Sequence, residues 1–199
     1  WGGDNTYKQL NVSTSLGTVV AAAVGLEHTC AITASGAVKC WGYTEYGVAT
    51  VPSNLELPVQ MLSTGEYYTC VLDAAGDTRC WGYENGYGAT VPPPDLGIPQ
   101  SIAAGGTASC AVTSDNAVVC WGADWSKSVP ETLTGKAVRS VSVGTTFACA
   151  HSTDGMVTCW GSNDHNQTAV VPALLSGTST ASAVSSAGYH SCAVLGPVP

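Results

Sequence analysis

Cys-Trp-Gly recurs at residues 40–42, 80–82, 120–122 and 159–161, so successive tryptophans lie 40, 40 and 39 positions apart. A short period repeated in register marks an array in which one small unit stacks on its neighbours, because no unit buries its apolar face alone. Trp1-Gly2 falls 40 residues before Trp41, which places the start of the sequence inside a repeat. In four units a second cysteine stands ten positions ahead of Cys-Trp-Gly, at Cys30, Cys70, Cys110 and Cys149. Cys192 opens a fifth such element and has no downstream counterpart.

The ten-residue spacing reads as a hairpin. Cys30-Ala-Ile-Thr33 and Ala37-Val-Lys-Cys40 flank a three-residue loop that ends at Gly36. Such a loop closes a hairpin when its last residue adopts positive φ, which favours Gly. Gly76 and Gly155 hold the same place, and Asn116 holds it in the third unit. The resulting register sets Cys30 opposite Cys40 and Ile32 opposite Val38. Opposed residues of an antiparallel pair have Cα atoms roughly 4.5–5.5 Å apart, within or near disulfide range. This predicts Cys30–Cys40, Cys70–Cys80, Cys110–Cys120 and Cys149–Cys159, each worth about 2–4 kcal/mol. Zinc is the competing use of cysteine. Its ligands usually cluster two to four residues apart, often with His, which is not the pattern here.

Each hairpin is preceded by a run of apolar or small residues ending in Gly25, Gly65, Gly105 or Gly144, five positions before the first cysteine. Each Trp-Gly is followed by a polar segment running to Val51-Pro52, Val91-Pro92, Val129-Pro130 or Val171-Pro172. Proline cannot donate to a central ladder, so these segments are loops or edges. Each repeat therefore holds three or four short strands and no helix of useful length. The predicted fold is all-β, a propeller of about five short blades with repeats of about forty residues and one hairpin disulfide per complete repeat. Residues 1–199 form one domain with units near 17–55, 56–96, 97–133, 134–175 and 176–199, the last closed by 1–16. Either the two end segments close a five-blade ring, or the units are an arc of a larger propeller.

From Leu26-Glu-His-Thr-Cys30 through Ala37-Val-Lys-Cys-Trp-Gly42, the sequence resembles the repeats of the regulator of chromosome condensation, a β-propeller family. Tyr189-His-Ser-Cys192 and Trp160-Gly-Ser-Asn-Asp164 follow the same pattern. The resemblance implies a propeller in which the Gly, His and Trp-Gly positions are structural. Family propellers commonly have seven blades. Members include a nuclear nucleotide-exchange factor, a secreted bacterial inhibitor of β-lactamase and many extracellular proteins. The nuclear activity is not expected here, because this chain is acidic and its cysteines are paired.

Charge narrows the function classes. Fourteen acidic residues against six basic ones give a net charge of −8. The basic residues Lys8, Lys39, Arg79, Lys127, Lys136 and Arg139 are scattered, which argues against nucleic acid and anionic membranes. The longest apolar run, Val19 to Val24, is far too short to span a bilayer, which needs about 20 residues. Paired cysteines belong to an oxidising compartment, so the expected location is extracellular, secreted or at the cell surface. The sequence opens on Trp1, which reads as a processed product or an excerpt of a longer chain.

No catalytic residue, metal ligand or cofactor is predicted. His28 and His190 precede a first cysteine by two positions where other units carry Tyr68, Ala108 and Phe147, an exchange no catalytic role survives. His151 and His165 are isolated in the sequence. Trp41, Trp81, Trp121 and Trp160 are expected to pack between blades. Tyr43, Tyr46, Tyr83, Tyr87 and Trp125 vary between units and are the candidate binding loops. Asn11-Val-Ser13 and Asn166-Gln-Thr168 are N-glycosylation sequons. Ser176 to Ser186 and Pro92-Pro-Pro94 are candidate O-glycosylated or linker segments. Cys192 is unpaired or makes an intermolecular bond. The predicted function is an extracellular structural or adhesive module, a glycosylated subunit of a surface assembly or filament. The alternative is a secreted binding propeller, a lectin or enzyme inhibitor. Expected partners are proteins or copies of the chain itself, with glycans as a further class.

Overall fold

The computed structural model describes residues 4–84, 86–169 and 179–197. Four sheets have three antiparallel strands each, ordered as in the sequence. Blade 1 is β1 (Val19–Val24), β2 (His28–Thr33) and β3 (Val38–Gly42). Blade 2 is β4 (Met61–Thr64), β5 (Tyr68–Leu72) and β6 (Thr78–Gly82). Blade 3 is β7 (Ser101–Ala104), β8 (Ala108–Val112) and β9 (Val118–Gly122). Blade 4 is β10 (Val138–Val143), β11 (Phe147–Ser152) and β12 (Val157–Gly161). A fifth sheet pairs β13 (Ser179–Ala187) with β14 (His190–Pro197). The single α-helical turn among the described residues is α1 (Asp124–Lys127), in the loop after blade 3.

The hairpin register is the one the cysteine spacing requires. Cys30 faces Cys40, Ala31 faces Lys39 and Ile32 faces Val38, and the same register recurs in blades 2 to 4. All four disulfides are formed, with Cα atoms 4.0–4.1 Å apart. The turn residues Gly36, Gly76, Asn116 and Gly155 all have positive φ, between 64° and 86°.

Packing between blades explains the middle strands. β5 and β8 are buried at every position, because a blade inside the array is covered on both faces. One face of each hairpin carries the disulfide and the other carries the tryptophan. The disulfide side of blade 1 (Ile32, Val38, Cys40) packs on Leu62, Val71 and Trp81 of blade 2. Cys80 meets Trp121, and Cys110 and Cys120 share a cluster with Trp160. Each of these interfaces is thus a disulfide of one blade set against the indole of the next. The indole N–H is also used. Trp41, Trp81, Trp121 and Trp160 donate through Nε1 to the carbonyls of Gln9, Val48, Ala89 and Ser126, at 2.9–3.2 Å. Each acceptor lies in the loop leading into that blade, so the tryptophans staple loop to blade as well as filling the interface.

At the inner ends the blades are joined by backbone bonds. Leu26 N donates to Glu66 O, Glu66 N to Gly105 O, Gly106 N to Gly144 O and Thr145 N to Gly188 O, at 2.9–3.2 Å. This close approach is why glycine precedes each hairpin. A Cβ on Gly65 would overlap the Tyr68 ring and the Gly105 carbonyl, and one on Gly144 would overlap the Phe147 ring.

The ladder links five blades in four steps, and among the described residues no bond returns from blade 5 to blade 1. In blade 1, Val20 and Val24 remain 65% and 70% exposed. In blade 5, Ala181, Val184 and Ala193 pack on blade 4, while His190, Cys192 and Val194 point away from it and are exposed. The described residues therefore form an open arc. Residues 4–16 dock on blade 1, where Gln9 O accepts from both Thr29 and Trp41. Residues 1–3 and Val171-Pro172 lie outside the described residues.

Candidate binding face

The turns between the first and second strands and the loops leaving the third strands share one end of the arc. They are tied together there: Tyr43 N donates to Glu27 O, Tyr83 N to Tyr67 O, Ala123 N to Thr107 O and Ser162 N to Thr146 O, at 2.8–3.1 Å. Residues 26–27, 66–67, 106–107 and 145–146 thus form the rim. A central opening of about 270 Å³ is lined by Leu26, Glu66, Gly106, Thr145 and Gly188, among others. Glu66 reaches across it, its Oε1 accepting from Thr145 Oγ1 at 2.9 Å.

The rim is chemically lopsided. In blades 3 and 4 its positions hold Thr107, Ala123, Thr146 and Ser162. In blades 1 and 2 they hold Glu27, Tyr43, Tyr67 and Tyr83. Neighbouring loops add Tyr7 and Tyr46. Ring centroids of Tyr7 and Tyr43 lie 4.9 Å apart, Tyr43 and Tyr67 5.7 Å, Tyr43 and Tyr46 6.3 Å, and Tyr46 and Tyr83 4.5 Å. Five tyrosines make one connected patch, and Tyr46 is its most exposed member at 58%. The Tyr43 hydroxyl donates to Glu45 Oε2 at 2.7 Å, which holds its proton more tightly than in a free tyrosine. The Tyr67 hydroxyl is also pushed up, by partial burial and by Glu27 and Glu66.

Of the predicted binding residues, Tyr43, Tyr46 and Tyr83 come together in this patch. Tyr87 is exposed in the loop after blade 2. Trp125 differs from the reading as a free loop ring. It sits on α1, packs on the apolar cluster between blades 3 and 4, and donates from Nε1 to Thr107 Oγ1 at 3.1 Å. Its ring also abuts Gly161, so the residue is committed to packing. Tyr7 and Tyr67 were not singled out from the sequence. Tyr67 occupies the turn position filled by Glu27 and Thr107, and only the arrangement of the blades shows which of these positions meet an aromatic neighbour.

The histidines divide by environment. His28 is fully buried, with Nε2 3.0 Å from Thr69 Oγ1 of blade 2. Its Nδ1 is buried without a hydrogen-bond partner, and burial pushes its pKa down to about 4. Tyr68, its counterpart, reaches blade 3 in the same way, donating to Ala108 O at 2.7 Å. His151 is buried with Nε2 2.8 Å from Ala181 O of blade 5. His190 is exposed, and the His165 ring lies 5.2 Å from Tyr189. No cluster of three or more His, Cys, Asp or Glu suited to a metal occurs among the described residues. Cys192 is an exposed free cysteine. Asn11 and Asn166 are both exposed, in the loops leading to blade 1 and leaving blade 4. No helix among the described residues is long and apolar enough to cross a membrane.

The family described as regulator of chromosome condensation (RCC1) repeat matches residues 19–48, 100–124 and 138–167, each beginning at or next to the first strand of a blade. Those three stretches are RCC1-type repeats. None of the curated proteins compared with it matches. Among solved structures, the chain is similar to the ectodomain of the receptor kinase CR4 from Physcomitrella patens. Identity is 27% and the TM-score 0.70, over 90% of this chain and 47% of the other. It is similar also to the CRINKLY WD40 ectodomain of the Arabidopsis thaliana receptor kinase ACR4, at 24% identity and TM-score 0.69, over 90% and 60%. Prp20p of Saccharomyces cerevisiae, described with its binding properties to Gsp1p and histones, shares the fold at 17% identity and TM-score 0.76, over 94% and 58%. The chain thus spans between 47% and 60% of the length of these structures. Each of the first four blades carries a disulfide, those of the three matched stretches included.

Proposed function

We propose that this protein is an extracellular structural module, one subunit of a propeller-based surface assembly or filament, with the fifth blade as its point of contact. The observation that carries the reading is a mismatch between equivalent residues. His28, Cys30 and Ile32 are buried against blade 2. Their counterparts His190, Cys192 and Val194 are exposed, and the fifth sheet has only two strands among its described residues. In the other four blades a third strand of Cys-Trp-Gly type pairs at this edge, whereas among the described residues β14 pairs only with β13 and exposes the Cys192 thiol. Edges of this kind recruit strands from other chains. At the opposite end, blade 1 offers the exposed Val20 and Val24 as the face onto which a preceding blade packs.

Four formed disulfides and the likeness to two plant receptor-kinase ectodomains support an extracellular address. Asn11 and Asn166 are exposed sequons, and in this reading they carry N-linked glycans on the loop side of the arc. The role is scaffolding and adhesion rather than catalysis.

The test is non-reducing peptide mapping of native material. Cys192 is expected in a disulfide with a cysteine of a neighbouring subunit or a further repeat, and N-glycosidase is expected to lower the mass of the peptides holding Asn11 and Asn166. Recovery of Cys192 as a free thiol in native material, together with a monodisperse monomer by light scattering, refutes the assembly reading.

A further inference from the structure

We infer that the tyrosine patch at the rim is a docking site for a basic segment of a partner protein, its Lys or Arg side chains lying over the tyrosine faces. This rests on the rim and not on the open fifth blade, so it stands or falls separately from the assembly reading.

Tyr7, Tyr43, Tyr46, Tyr67 and Tyr83 are linked ring to ring, which concentrates exposed aromatic surface on two of five blades. The Tyr43–Tyr67 and Tyr46–Tyr83 pairs also bridge blades 1 and 2, but the buried contact between these blades is made by the disulfide and the tryptophan, and Tyr7, Tyr46 and Tyr83 stay 40%, 58% and 40% exposed. What the patch takes is decided by charge. Glu45 accepts from the Tyr43 hydroxyl, Glu27 and Glu66 lie close enough to act on Tyr67, and Glu84 follows Tyr83 in the sequence. The ion pairs among the described residues join Arg79 to Asp73 and Asp77, Lys127 to Asp124, and Lys136 to Asp154; none uses a glutamate. Lys8 alone follows a patch tyrosine in the sequence. Aromatic faces rimmed by unneutralised carboxylates attract a cation twice over, through the ring quadrupole and through ordinary Coulomb attraction. Burial, and behind it Glu27 and Glu66, raise the Tyr67 pKa.

A sugar is less well served. Adjacent rings are inclined at 47° to 79°, so no two form a flat shelf for a run of pyranose faces. A chain with several cationic side chains instead finds differently oriented faces, each with a carboxylate at hand. An extended peptide alternating basic and small residues fits this spacing.

The test uses the intact chain and a fluorescein-labelled decapeptide of alternating arginine and glycine, followed by anisotropy at an ionic strength of about 0.15 M, where distant charges are screened. Three variants separate the patch from general acidity. Tyr46→Ser removes an exposed ring, Glu66→Gln removes a rim charge while keeping an acceptor for Thr145, and Glu131→Gln removes an exposed carboxylate after blade 3. Tyr46→Ser and Glu66→Gln are each expected to weaken binding by about threefold to tenfold, and Glu131→Gln by less than twofold. Absence of peptide binding, or equal weakening by Glu66→Gln and Glu131→Gln, overturns the inference. So does a glycan-array signal that Tyr46→Ser abolishes while peptide binding is unchanged.

Discussion

Acid should weaken this fold through one imidazole. His28 is fully buried between blades 1 and 2, contacts Thr69 Oγ1, and has its pKa lowered from 6.5 to about 4 by burial. The unfolded chain binds a proton there near pH 6.5, while the folded chain resists it until about pH 4. Stability is therefore full above pH 6.5 and falls as pH drops from 6.5 towards 4, where the loss levels off. A difference of about 2.5 units corresponds to about 3 kcal/mol at the plateau, and linkage puts about 2 kcal/mol of it between pH 7 and pH 5. That is a large share of the ~5–15 kcal/mol by which domains are usually stable. Asp73 does not confuse this window. Burial works to raise its pKa, but Arg79 and the Asp77 and Glu56 amides outweigh it, so the net shift is downward and its contribution is lost only at lower pH. The comparison protein is His28→Tyr, since Tyr68 already fills the equivalent site one blade on and Gly65 beneath it matches Gly25. Denaturant unfolding at pH 7 and pH 5 should show the native chain losing about 2 kcal/mol more than His28→Tyr. Equal losses in the two proteins would mean that the interior accepts the imidazolium, and the burial argument would fail.

Trp121→Phe removes three of the nine buried ring atoms together with the donor to Ala89 O, and should lower unfolding free energy by about 2 kcal/mol in urea melts, the void outweighing the lost bond because Ser109 Oγ still serves that carbonyl. Replacing Cys70 and Cys80 together by alanine opens a loop of ten-residue separation and should destabilise by about 3 kcal/mol. Arg79→Met leaves the buried Asp73 carboxylate with backbone donors only, at a cost of about 2 kcal/mol near neutral pH that shrinks as acid protonates Asp73. Maleimide applied without reductant to the isolated chain, made without the neighbour proposed to pair Cys192 in native material, should label one cysteine, Cys192, and unfolding in reductant should raise the count to nine, checked by intact mass.

The hairpins were legible in the sequence because their partners are local. Ten residues with Gly36 at the turn leave Cys30 one place to go, and the structure puts it there. The tryptophans were also readable as packing residues, since a fixed strand position repeated four times has one environment. Contacts between blades were harder to read. The Thr69 partner of His28 is 41 residues away and follows no motif. Trp125 reads as loop by its neighbours, yet α1 turns its ring into the interface between blades 3 and 4. Tyr7 and Tyr67 carry no sequence signal for a related reason. Their patch is assembled by the rotation from one blade to the next, and a periodic sequence encodes the repeat unit more openly than the angle between units.

The placement of the disulfides has a mechanical consequence. Every one closes a hairpin within a blade, and none joins one blade to another. Stretched from its ends, the chain would peel apart blade by blade, each step releasing most of a repeat while the nine residues between the paired cysteines stay looped. With roughly 30 free residues at about 3.5 Å each, a step lengthens the chain by about 100 Å. A tether made this way yields in instalments under load and keeps, in every extended segment, the folded seed from which the blade re-forms.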